Sequence, residues 1–125
     1  MTSADEATDW RQLREFAAVD LSQSFVLGWE VEAGVLMIDV DLYLTPDHAF
    51  YEEPRPAEKV CIRPAAIEFP LFGGVDSEHG TSLQDLATGA ITGMRRLPDG
   101  RYEIKGDFGV VLIDAERPIM RLKVP

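Results

Sequence analysis

Val35-Leu36-Met37-Ile38-Asp39-Val40-Asp41-Leu42-Tyr43-Leu44 is the stretch that decides the fold. Leu36, Ile38, Val40, Leu42 and Leu44 occupy every second position. Met37, Asp39, Asp41 and Tyr43 occupy the places between. Successive side chains of a β-strand point to opposite faces, so a period of two reads as a strand. One of its faces is core and the other is wet or half-wet.

Working outward, Ser24 to Val31 holds Phe25, Val26, Leu27 and Trp29, and Glu32-Ala33-Gly34 reads as a short turn. Gly34 is free to take a positive φ there, so the two runs form a β-hairpin. Thr45 to Pro56 is a loop, since its three prolines cannot donate to a ladder. Glu58 to Phe69 is strand-like, and Pro64 inside it suggests an edge strand or a bulge. Pro70 to Asp85 reads as a second long loop, with one helical turn at Ser82–Asp85. Strands follow at Thr88–Leu97, Tyr102–Asp107, Phe108–Asp114 and Pro118–Val124. Pro98-Asp99-Gly100 and Ala115-Glu116-Arg117 supply turns between them.

The N-terminus reads differently. Ser3 and Glu6 fit a capping box, and Trp10, Leu13 and Ala17 recur at helical spacing with Phe16 beside them. The expectation is a helix from about Ala4 to Val19, exposing Arg11, Arg14 and Glu15. The fold class is then mainly β (α+β). One N-terminal helix packs on a six- to seven-stranded antiparallel sandwich or flattened open barrel. Residues 1–125 form one domain, 1–19 its helical segment and 20–125 its β-rich body.

Composition agrees with one globular unit. The chain has 125 residues, 46% hydrophobic and 27% charged, which is too apolar for a disordered acidic tail. No apolar run approaches the roughly twenty residues of a membrane helix. The acidic start, Met1 to Glu6, lacks a signal-peptide core. A lone cysteine, Cys61, suits a reducing compartment, so a cytoplasmic protein is expected.

The net charge is −10, and the acids cluster. Glu15 to Pro54 carries nine acids without a Lys or Arg, and Pro64 to Met94 carries four, again without one. Arg95 to the C-terminus holds seven basic residues against five acids. Such a chain repels phosphate backbones and anionic membrane surfaces. It attracts basic proteins and speeds their encounter.

Four constellations bear on chemistry. Asp39 and Asp41 project to one face of a strand, where paired carboxylates act as acid and base or hold a hard cation. The plainer reading is the solvated back of a core strand. His48 follows Asp47 and His79 follows Glu78, yet neither pair has a zinc-ligand spacing, so no metal or cofactor is assigned. Cys61, between Val60 and Ile62, reads as a small buried hydrophobe. Tyr43, Phe50 and Tyr51 with Glu52-Glu53 combine aromatic area with negative charge, which suits a basic protein patch. The candidate protein-binding set is therefore Asp39, Asp41, Tyr43, Tyr51, Glu52 and Glu53, with no catalytic residue. No phosphate-binding or nucleophile-elbow motif is present.

The segments Asp20–Phe25, Trp29–Leu44, Val60–Arg63, Ile67–Phe69 and Tyr102–Gly109, taken in order, resemble small bacterial β-rich proteins. Some of those are grouped with immunity proteins of contact-dependent or polymorphic toxin systems. The resemblance implies a cytosolic, non-enzymatic protein that binds a partner, for which a basic nuclease toxin would suit the acidic surface. Two other functions fit the sequence. One is a small-molecule binder or minor enzyme, with Asp39, Asp41, His48 and His79 converging on a loop-lined pocket. The other is a structural module pairing exposed strand edges between chains.

Overall fold

The computed structural model describes residues 7–48, 51, 53, 61–70, 72–78 and 80–123. Nine strands follow in chain order among these residues. They are β1 (Thr8–Asp9), β2 (Val19–Glu32), β3 (Val35–Leu44), β4 (Cys61–Phe69), β5 (Gly74–Ser77), β6 (Gly89–Arg96), β7 (Tyr102–Gly106), β8 (Gly109–Asp114) and β9 (Ile119–Leu122). Every pairing is antiparallel, in the order β5-β8-β7-β6-β2-β3-β4-β9, with β1 beside β6.

β3 behaves as its alternation dictates. Its five aliphatic residues are at most 1% exposed, and its alternate residues are half-buried. The turn before it is tight, with Ala33 at φ 52° and Gly34 at φ 77°. Two positive φ values in succession give the type I′ turn, whose twist matches a two-residue hairpin.

β2 joins the two halves of the sheet. On one side it follows β3 from Val19 to Glu32. On the other it meets β6 only at Phe25 and Val26. The sheet folds over at this short seam. Phe69 of β4 and Tyr102 of β7 lie far apart in strand order, yet their rings meet edge-on at 5.3 Å. Buried residues of both halves form one cluster, from Leu36, Ile38 and Ile67 to Ile104, Val111 and Ile113. The strands at the two ends of the order, β5 and β9, are not paired with each other, so the sheet is open.

Several sequence expectations need correcting. The helix from Ala4 to Val19 does not form among the described residues. Thr8–Asp9 is extended and pairs with Arg95 and Arg96, and two 3₁₀ turns follow at Trp10–Gln12 and Arg14–Phe16. The buried positions are Trp10 and Phe16, with Leu13 partly buried, while Ala17 is exposed. That spacing of three is the 3₁₀ period rather than 3.6. Leu13 returns to extended backbone between the turns, and Ala18 at φ 60° ends them. Ser3 and Glu6 lie outside the described residues.

Among the described residues there are nine strands rather than six or seven. The additions are β1 and β5, and β5 lies inside the stretch read as a loop from Pro70 to Asp85. Pro64 marks no bulge, and β4 is not an edge strand; Pro64 stands where the pairing with β9 ends. β4 lies between β3 and β9 in unbroken register with β3. In an antiparallel ladder the N–H and C=O of one residue point to the same side. The Pro64 carbonyl accepts from the Lys123 amide at 3.0 Å, just beyond the end of β9, so the missing donor costs one terminal bond.

Candidate functional site

The outer face of β2 and β3 gathers the features a docking surface needs. Residues paired across strands share a face. Asp41 pairs with Phe25, Asp39 with Gly28, Met37 with Glu30 and Tyr43 with Asp20. Phe25 is 44% exposed although it stands in mid-strand. Leu27, 54% exposed, is the extra residue of a β-bulge, since Val26 pairs with Val40 and Gly28 with Asp39. The bulge turns Leu27 out beside Phe25.

A second irregularity places Phe25. Between the pairs Asp20–Tyr43 and Phe25–Asp41, four residues of β2 stand against Leu42 alone. Ser24, fully buried, closes this gap. Its hydroxyl donates to the Asp20 carbonyl at 2.8 Å and accepts from the Tyr43 amide at 3.0 Å. Asp20 takes bonds from the Ser22 amide and from the Ser22 and Gln23 side chains. Partial burial pushes its carboxyl up. Those hydrogen bonds, with the charge of Arg11, more than reverse the push and leave it below the usual carboxylate range.

The acidic run is partly neutralised by basic residues from the C-terminal third. Lys123 Nζ meets Asp39 at 2.6 Å, Arg121 Nε meets Glu68 at 2.7 Å, and Arg117 reaches Glu15 at 3.7 Å. Asp39 is therefore not a free member of an acid pair. Asp41, Glu30 and Glu32 make no ion pair with a described residue, so uncompensated charge lies along the β2–β3 hairpin.

Of the sequence candidates, the structure places Asp39, Asp41 and Tyr43 on one face of β3, each half-buried. Tyr51 is partly buried against the core cluster, and its amide bonds to the His48 carbonyl at 3.0 Å. Glu53 is exposed in the same loop, while Phe50, Glu52 and His79 lie outside the described residues. Cys61 is buried and pairs with Leu44. No group of three or more His, Cys, Asp or Glu among the described residues has metal-binding geometry. Sequence reasoning missed Phe25, Leu27 and Lys123 as members of this face. The run Phe25-Val26-Leu27 carried a signal, because three consecutive apolar residues in a strand cannot all face inward.

Elsewhere the surface has shallow concavities. One, of about 270 Å³, lies over Gly73, Gly74, Asp76, Arg101 and Asp114. Another, of about 170 Å³, lies over Asp9, Gly93, Arg95, Glu103 and Lys105. In the second, burial raises the Glu103 carboxyl, but the Arg95 bond and the nearby Lys105 hold it below the ordinary range. Under the fold, the Tyr102 hydroxyl donates to Glu15 at 3.0 Å. Burial, and then that carboxylate, push the phenol up to about 12. No described helix is long and apolar enough to cross a membrane. Comparison with family models, with curated proteins and with solved structures returns no match.

Proposed function

We propose that the chain is a non-enzymatic binding domain that docks a basic protein on the outer face of β2 and β3. The observation that carries this reading is the pairing of exposed Phe25 with Asp41, whose carboxylate has no cationic partner among the described residues. An apolar anchor beside an uncompensated charge supplies both buried area and steering. Leu27 and Tyr43 extend the apolar part, and Glu30 and Glu32 extend the negative field. The net charge of −10 favours the same class of partner over nucleic acid or an anionic bilayer. An immunity-like role against a basic toxin, in the cytoplasm, fits this surface and the sequence resemblance.

The test is capture at low ionic strength from the source cell with wild type, Asp41→Lys and Phe25→Ser. The expected result is a basic protein retained by wild type, released by about 0.5 M salt, where the Debye length falls well below 10 Å. Either substitution is expected to weaken retention about tenfold, or ~1.4 kcal/mol. Retention indifferent to both substitutions and to salt, or no basic protein at all, overturns the reading.

A further inference from the structure

β2 outlasts its neighbour. β6 begins at Gly89 opposite Val26, and the chain before it turns away through Leu86–Thr88 instead of continuing the ladder. Trp29 tethers that departing segment by donating from Nε1 to the Ala87 carbonyl at 2.8 Å. From Leu27 to Glu32, β2 is therefore paired with β3 on one side only, and no described backbone group bonds to its other side. Val31 shows the consequence. It pairs with Leu36 and so belongs to the inner face, yet it is 45% exposed while Leu36 is fully buried. Among the described residues it lacks a flanking strand.

We infer that this half-edge, Leu27–Glu32, receives an extended segment of a partner protein whose residues alternate between basic and apolar. The inference rests on the proposed function and adds its mode of recognition. The alternation follows from register. Glu30 pairs with Met37 and Glu32 with Val35 on the outer face, both without ion pairs, so basic side chains of the incoming strand stand over them. Trp29 pairs with Ile38 and Val31 with Leu36 on the inner face, so the intervening residues are apolar. Backbone hydrogen bonds supply affinity, and the alternating side chains supply selectivity.

The molecule already accepts such a strand at its far edge. β9 with the residue after it reads Met120-Arg121-Leu122-Lys123. Met120 and Leu122 pack against the core, while Arg121 and Lys123 meet Glu68 and Asp39 on the outer face. The free half-edge of β2 offers the same arrangement, carboxylates outside and apolar groups inside, with the strand absent.

The probe is a short end-blocked peptide alternating valine and lysine, titrated into the isotopically labelled 125-residue chain and followed by amide chemical shifts. The expected result is shifts centred on Leu27–Glu32, slowed hydrogen exchange there, and binding weakened by salt. Methylating alternate peptide nitrogens on the pairing edge is expected to abolish binding, and Glu30→Lys with Glu32→Lys to weaken it about tenfold. Equal binding by the methylated peptide overturns the inference, because charge alone then accounts for it. Shifts at Phe25, Asp41 and Tyr43 with a silent edge overturn it and leave the proposed function standing. No binding at about 1 mM peptide overturns it whatever the capture experiment returns.

Discussion

At the residue scale, Ser24 replaces a missing piece of main-chain ladder with one hydroxyl. Removing it leaves the partly buried Tyr43 amide without that acceptor. Ser24→Ala is expected to lower stability by about 1–3 kcal/mol, measured by urea unfolding; a change within experimental error would mean that the two bonds to Asp20 and Tyr43 are not held in solution. Tyr102 makes a different prediction. Its phenol titrates at about 12 in the folded chain against an ordinary value of 10.0, so the folded state holds the proton more tightly. The stability this gives is complete below about pH 10 and is lost as pH rises toward 12. The advantage of wild type over Tyr102→Phe is therefore expected to shrink across that window. Parallel stability profiles for the two proteins would contradict the buried Tyr102–Glu15 contact. Neither residue was legible beforehand. Ser24 stands at a register break, which alternation does not reveal, and the Glu15 partner is supplied by folding alone.

At the element scale, β3 was fully legible because a strand with one face on the core and the other half-buried shows a strict period of two. The hairpin turn was legible because Ala33-Gly34 admits the required backbone. The N-terminal segment misled because spacings of three and of four overlap over so few residues, and only packing separates Phe16 from Ala17. Short strands such as β1 and β5 left no periodic trace. Among the candidate site residues, Asp39, Asp41 and Tyr43 followed from the same alternation, but the capture of Asp39 by Lys123 depended on β9 reaching that face. The exposure of Val31 depended on where β6 stops, which no local pattern records. Two isosteric substitutions test this difference. Val40→Thr places a hydroxyl in a fully buried position and is expected to cost about 1–3 kcal/mol. Val31→Thr, at an equivalent inner-face register, is expected to cost no more than about 0.5 kcal/mol. Equal costs in thermal or urea unfolding would mean that the β2 edge is covered in solution.

At the scale of the whole molecule, one sheet folds at the short β2–β6 seam and closes its two halves over a single core. The same seam leaves Leu27–Glu32 of β2 with β3 as its one partner strand among the described residues, while irregularities in the β2–β3 ladder set Phe25 and Leu27 on the outer surface. The C-terminal third completes the picture by placing Arg117, Arg121 and Lys123 on acids of the second 3₁₀ turn, β4 and β3. The pairs at Glu68 and Asp39, whose basic partners are exposed, add about 0–1 kcal/mol each. Residue-resolved native hydrogen exchange tests this arrangement most directly. The amides of Leu27–Glu32 that point away from β3 are expected to exchange almost as fast as an unstructured chain, while the amides of β3, bonded on both sides, are strongly protected. Uniform protection along both sides of β2 would contradict the account.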